Sequence, residues 1–183
     1  MALTTLDDRT ALVVIDLQKG IVGMPTAHPA GEIVTRCAAL ARAFRARALP
    51  VVLVNVAGQA PGRSERRLGR DLPPDWTELV AELGAAPGDH RVTKMQWGAF
   101  TGTPLDQILR RAGVTQVVLG GISTSIGVES TARAAHELGY NVGLVTDAMT
   151  DLSLEAHRHS IEAIFPRLGE RTTTDELLAL LRG

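Results

Sequence analysis

The stretch Ala11-Leu12-Val13-Val14-Ile15, followed at once by Asp16, decides how the rest of the chain is interpreted. A continuous apolar run that is rich in β-branched residues is typical of a strand covered on both faces in a parallel sheet. The segment 51–56 repeats this pattern, and further strands are predicted at 90–94, 116–119 and 141–146. The sequence therefore predicts five strands, most of them buried.

Segments with helical spacing of apolar residues lie between these strands. In the longest, 33–48, the apolar residues Ile33, Cys37, Leu40 and Phe44 fall on one side, and Pro50 marks the exit. Further helices are predicted at 76–83, 103–112, 154–164 and 174–181, and one runs from the 122–127 segment to about 138. Alternating strands and helices predict an α/β fold of three layers around a mostly parallel, doubly wound sheet. The whole chain, 1–183, is expected to form a single domain.

Composition argues against several classes of function. Lys and Arg number 19 and Asp and Glu 20, so the chain lacks the positive charge that nucleic acids and anionic membranes attract. The single cysteine, Cys37, excludes an intramolecular disulfide and suits a reducing cytosol. The first ten residues contain no apolar signal region, and no stretch approaches the ~20 apolar residues of a membrane span. We expect a cytoplasmic protein without nucleic acid or membrane partners.

Polar residues at the predicted strand ends are the first candidates for a site, because ligands of open parallel sheets bind there. Asp16 follows the first strand, Lys94 ends the third, and the segment 120–127 joins the fourth strand to a helix. A carboxylate beside an ammonium group can transfer protons, and N–H groups at a helix start favour a developing anion. A capping or turn role for Asp16 and a solvated Lys94 are the ordinary alternatives.

Three blocks of this sequence resemble the signature of the isochorismatase-like hydrolase superfamily, also called the cysteine hydrolase family. They are VVIDLQ at 13–18, KMQWGAF at 94–100 and GISTSIGVESTAR at 121–133, in the order and spacing of that family. The resemblance extends from about residue 9 to residue 181. It implies a Rossmann-like or flavodoxin-like isochorismatase fold and a homo-oligomer. It places the catalytic Asp on Asp16, the catalytic Lys on Lys94, and a cis peptide at Ile122-Ser123. The backbone N–H groups of Ser123 and Gly127 would form the oxyanion hole.

The sequence departs from the majority pattern of this family at one position. Most members attack an amide carbonyl with a cysteine, and Gly127, which has no side chain, occupies that position. Cys37 falls on the apolar side of its predicted helix and is expected to be a core residue. Ser123, Thr124 and Ser125 carry hydroxyls, for which turn and capping roles are favoured over nucleophilic attack.

True isochorismatases, by resemblance, also carry glycine at this position and hydrolyse a vinyl ether without a nucleophile from the protein. The resemblance therefore implies a cofactor-independent hydrolase in which Asp16 acts as a general acid and Lys94 orients the substrate or balances charge. Isochorismate, which would give pyruvate and a dihydroxy acid, is the example. Two alternatives stay open: a catalytically silent protein that binds a small molecule or acts as an oligomer, and an amide hydrolase in which Asp16 activates water.

The remaining predictions concern substrate contacts and metals. The residues expected to contact a small-molecule substrate are Gln18, Trp97, Phe100, Ile122 and Thr124. Trp97 has a core or interface role as its alternative, Gln18 a turn role, and Phe100 a packing role. The loop 57–74 carries Arg63, Arg66, Arg67 and Arg70, which either bind substrate carboxylates or are solvated.

No metal or cofactor is predicted. The segment 55–59 lacks the Asp-x-His motif that nicotinamidase-like relatives use to hold a metal. His157 and His159 are two residues apart on a predicted helix and point in different directions, so they are expected to be surface or packing residues.

Overall fold

The computed structural model describes residues 3–65, 69 and 71–182. Its centre is a sheet of six parallel strands, one more than the sequence predicted. The strands are β1 (Thr10–Ile15), β2 (Val51–Val56), β3 (His90–Lys94), β4 (Gln116–Ile122), β5 (Asn141–Thr150) and β6 (Glu170–Thr172). Their order in the sheet is β3-β2-β1-β4-β5-β6. After β3 the chain crosses over β1 to form β4 on the other side, so the order of succession changes between β1 and β4. This doubly wound order confirms the predicted α/β class.

Helices cover both faces of this sheet. The helices are α1 (Lys19–Val22), α2 (Ala30–Ala46), α3 (Leu105–Arg111), α4 (Glu129–Glu137), α5 (Leu154–His159), α6 (Phe165–Leu168) and α7 (Thr174–Arg182). Alternate residues of β1 point to opposite layers. Leu12 packs in one core with α2 and α7, and Val13 packs in the other core with α3, α4 and α6. The predicted three-layer arrangement is therefore confirmed.

The prediction of a helix at 76–83 is wrong. Only Ala81–Leu83 form a short 3-10 turn, and the residues before it form turns. The reason is a long-range contact: the Trp76 carbonyl accepts a hydrogen bond from the Gly20 N–H at 3.1 Å, and the Trp76 ring occupies the space beside Gly20. The backbone of this segment also bonds to the chain after β1 through Glu78 and Val80, and these bonds replace the regular pattern of a helix.

Several element boundaries also differ from the prediction. β4 continues to Ile122 and β5 to Thr150, and the helix predicted at 154–164 divides into α5 and the π-helical turn Ser160–Ile164. β6 was not predicted, because three residues of mixed polarity carry no periodic pattern.

Gly121 allows β4 to pass close to β1. Its φ is +122°, and a Cβ at this position would overlap the carbonyl oxygen of Ile15. No other residue type fits there without moving the β1 backbone, which leads directly to Asp16.

We expect Gly121→Ala to lower the free energy of unfolding by about 3 kcal/mol, because alanine is strained at positive φ and its methyl group would meet backbone. Urea unfolding followed by circular dichroism measures this loss. Gly31→Ala in α2 is the matched control, since a Cβ there meets nothing within 4 Å, and it should leave stability unchanged or raise it by up to ~1 kcal/mol. Equal stability of the two variants would contradict the prediction.

Candidate active site

Asp16 and Lys94 form a buried ion pair at the carboxyl end of the sheet. Asp16 follows β1 with a φ of 52°, which is uncommon for a residue other than glycine. Lys94 is the last residue of β3, two strands away, and its Nζ lies 2.7 Å from Asp16 Oδ2. The side chain of Asp16 is only 7% exposed and that of Lys94 only 2%. The structure thus joins two residues that are 78 positions apart in the chain.

The Asp16 carboxyl has few hydrogen bonds to offset the cost of its burial. Its Oδ2 accepts the hydrogen bond from Lys94, but its Oδ1 is buried and has no hydrogen-bond partner among the described residues. Burial raises the pKa of Asp16 to about 6, although the Lys94 ammonium group acts in the opposite direction. A carboxyl with this pKa exchanges protons readily near neutral pH.

Gly127 lies directly beside this carboxyl. It is part of the π-helical turn Thr124–Val128, which leads from β4 into α4. A Cβ on Gly127 would lie 3.3 Å from Asp16 Oδ2 and 2.8 Å from Ile15 Cγ2. Any side chain at this position would therefore enter the space beside Asp16.

The turn that holds Gly127 starts at Ser123. The peptide bond between Ile122 and Ser123 is cis, and the Ser123 carbonyl accepts hydrogen bonds from the N–H groups of Ile126 and Val128 at 3.2 and 3.1 Å. The oxyanion hole expected at Ser123 and Gly127 stays a prediction.

Gln18 and Trp97 occupy very different positions. The Gln18 side chain is fully buried and donates to the carbonyls of Val56 and Trp76, both at 3.0 Å. It also accepts from the Val56 N–H at 2.8 Å, so its amide holds the backbone together and is not open to substrate. The Trp97 indole is 65% exposed, and the Trp97 carbonyl lies 3.6 Å from the Cβ position of Gly127.

Three further side chains predicted to contact substrate point into the interior instead. Phe100 packs in a core cluster, with its ring centroid 5.9 Å from that of Tyr140. Ile122 is buried in the other core, and the buried hydroxyl of Thr124 lies 2.8 Å from His157 Nδ1. All three side chains are buried, because of long-range partners that the local sequence does not reveal. Their contact with substrate stays a prediction.

Asp151 is a residue of this site that the sequence analysis missed. Its buried Oδ2 accepts hydrogen bonds from Ser125 N at 2.7 Å and from Ser125 Oγ at 2.8 Å, which fixes the start of the turn that holds Gly127. Like Asp16, it directly follows a strand. That signal was lost because the fifth strand was predicted to end at residue 146.

Other predicted candidates lie away from the ion pair or outside the described residues. Arg63 is exposed, and Arg66, Arg67 and Arg70 lie outside the described residues. His157 is buried and its pKa is lowered, first by burial, whereas His159 is exposed. Within the described ranges, no group of three or more His, Cys, Asp or Glu side chains is arranged to hold a metal ion. None of the helices in this part of the chain could cross a membrane.

Cys37 is a core residue, as the sequence predicted. It is completely buried in the core that α2 covers, and its Sγ lies 3.5 Å from the Ala148 carbonyl oxygen. Burial raises the pKa of its thiol to about 12. Such a thiol holds almost no thiolate near neutral pH and is unsuited to nucleophilic attack.

We therefore expect Cys37 in the folded protein to react with an aromatic disulfide reagent at pH 8 more than ~100-fold more slowly than in the urea-unfolded chain. The unfolded chain serves as the internal control, because it contains the same single thiol. Comparable rates in the two states would show that Cys37 is accessible and ionised.

Known proteins resemble this chain over most of its length. Residues 10–176 match the isochorismatase domain. The chain is 46% identical over 178 residues to the isochorismatase family protein YwoC of Bacillus subtilis, covering 93% of both chains. It superposes on an isochorismatase family protein from Burkholderia thailandensis with a TM-score of 0.94 and 44% identity over the full length of both. Streptothricin hydrolase of Streptomyces noursei is 37% identical over 150 residues, which are 80% of this chain and 51% of that enzyme. This chain belongs to the isochorismatase family.

Proposed function

We propose that this member of the family is a cofactor-independent hydrolase that cleaves a vinyl ether, with Asp16 as the general acid and no covalent intermediate. The observation that carries the proposal is the buried Asp16 carboxyl, whose Oδ1 is free while its Oδ2 is held by Lys94. Its pKa of about 6 lets it hold a proton far more often than an ordinary aspartate does. The absence of a side chain at Gly127 supports a mechanism without a nucleophile from the protein.

The proposed reaction begins with proton transfer from Asp16 to the terminal methylene carbon of the substrate. The electron pair of the carbon–carbon double bond forms the new C–H bond and leaves an oxocarbenium ion. Water adds to that ion and loses a proton to Asp16. As the ether C–O bond of the resulting hemiketal breaks, the hydroxyl group loses its proton to become the ketone and the leaving oxygen gains a proton. The products are an alcohol and a ketone; isochorismate would give a dihydroxy acid and pyruvate.

Lys94 has a defined part in this reaction. Proton transfer leaves a negative charge on Asp16 in a buried site, where an uncompensated charge is costly. The Lys94 Nζ at 2.7 Å from Oδ2 stabilises that carboxylate without touching Oδ1. Asp16 therefore regains its proton from water and not from Lys94.

The surroundings of the pair complete the proposal. The substrate is proposed to lie beside Asp16 and Gly127 and near Trp97, whose indole is exposed. The backbone N–H groups of Ser123 and Gly127 bind oxygen atoms that gain negative charge. The homo-oligomer implied by the family resemblance also belongs to this proposal.

A second candidate is amide hydrolysis, which the similarity to the N-carbamoylsarcosine amidase of Thermoplasma acidophilum favours (28% identity, TM-score 0.74). In that case Asp16 acts as a base that removes a proton from water, and the water attacks the carbonyl carbon. The same residues serve both reactions, but the active protonation state of Asp16 differs.

The first test is release of pyruvate from isochorismate by the purified chain. We expect turnover, and we expect Asp16→Asn to reduce kcat by about 10²–10⁴-fold, because the amide cannot donate the proton. Asp106→Asn is the matched control. Asp106 is on α3, outside the site, and its carboxylate bonds to Arg110 and Tyr140. Turnover that survives in Asp16→Asn would exclude Asp16 as the acid. No turnover by the unaltered chain would reject isochorismate as substrate.

The pH dependence of kcat/KM separates the two candidates. A general acid must be protonated, so kcat/KM for a vinyl ether should rise as the pH falls through about 6 and then level off. A general base must be ionised, so kcat/KM for an amide should rise in the opposite direction across the same range. A profile that is flat around pH 6 for every substrate cleaved would contradict both roles.

A further inference from the structure

A single hydroxyl joins the two backbone segments that enclose the ion pair. Thr131, in the first turn of α4, is completely buried. Its Oγ1 donates to the Gly127 carbonyl at 2.6 Å and accepts from the Ala99 N–H at 3.1 Å. A bond to the carbonyl four residues earlier is ordinary for a threonine in a helix. The second bond is different, because it reaches the separate segment 95–99 that follows Lys94.

The segment 95–99 is tied to the ion pair at its other end. The Lys94 Nζ donates to the Gln96 carbonyl at 3.2 Å, in addition to its bond to Asp16. The segment also lies directly on the start of α4, since a Cβ on Gly98 would come within 3.3 Å of the Ser130 backbone. Loss of the Thr131 hydroxyl would therefore loosen the contact between the turn at Gly127 and a segment that bonds directly to Lys94.

We propose that Thr131 is a positioning residue, whose hydroxyl holds the segment 95–99 against the turn at Gly127 and so maintains the burial of Asp16. This inference rests on the proposed role of Asp16 as an acid. Thr131 does not contact Asp16 or substrate, and it acts through Gly127 and Ala99. Valine has the same shape but removes both hydroxyl bonds and leaves the Ala99 N–H without its partner, whereas serine keeps both bonds.

The test is a titration of the Asp16 carboxyl in the full chain by 13C NMR, with its signal identified by its loss in Asp16→Asn. Burial is the largest cause of the raised pKa, so water entering the site should lower it. We expect the midpoint to fall from about 6 towards the ordinary value of 3.8 by at least ~0.5 unit in Thr131→Val. Thr131→Ser should restore the unaltered midpoint.

Thr10→Val is the matched control. Thr10 is also completely buried, and its hydroxyl bonds to the Asp7 carbonyl and to Gln116 Oε1 at the opposite end of β1. This variant should lose stability without any shift of the Asp16 midpoint. An equal shift in Thr10→Val, an unchanged midpoint in Thr131→Val, or failure of Thr131→Ser to restore it would overturn the proposal.

The titration still tests the role of Thr131 if Thr131→Val does not fold or if the chain does not cleave isochorismate. If Thr131→Val does not fold, Thr131→Ala takes its place, because it removes the hydroxyl without placing a methyl group against the two polar backbone groups. The titration needs no substrate. A chain that releases no pyruvate would contradict the proposed function, and the same chain would still show whether Thr131 controls the environment of Asp16.

Discussion

The buried ion pair between Asp16 and Lys94 is the interaction on which the rest of this site depends. Removing a carboxylate and an ammonium group from water costs several kcal/mol for each ion, and their attraction offsets that cost only when the remaining polar atoms are also bonded. Lys94 meets this requirement better, with bonds to Asp16 and to the Gln96 carbonyl. Asp16 does not, because its Oδ1 has no hydrogen-bond partner in the part of the chain that the structure describes. The imbalance falls on the carboxylate, which consequently holds its proton more tightly.

The fold maintains this imbalance at the expense of stability. The pKa of Asp16 is higher in the folded chain than in the unfolded one, so its favourable contribution to folding is complete below pH 3.8 and is lost as the pH rises through about 6. At neutral pH the ionised group therefore weakens the folded state relative to an exposed aspartate. The positive φ of Asp16 and the lack of space for a Cβ at Gly121 show that the backbone here is tightly constrained as well.

The sheet and the ion pair could be predicted from sequence because both leave local signals. Buried parallel strands leave continuous apolar runs such as 11–15, and Asp16 and Lys94 stand where those strands end. The orientations of Phe100 and Thr124 and the form of the 76–83 segment depend on partners far away in the chain: Tyr140, His157 and Gly20. No periodic pattern encodes such contacts, and the same holds for Asp151, whose strand is longer than its apolar part.

Gly127 determines what Asp16 can exchange a proton with. A side chain at this position would begin 3.3 Å from Asp16 Oδ2 and would be the natural proton donor to that carboxylate. With glycine there, the proposed reaction leaves the substrate or a water molecule as the partner of Oδ1, since Lys94 bonds to Oδ2. A vinyl ether needs a proton at carbon, and an amide needs a deprotonated water, so a carboxyl that titrates near pH 6 is suited to either. Under the proposed function, the reaction is therefore selected by the molecule that binds beside Asp16 and Gly127, and not by the ion pair itself.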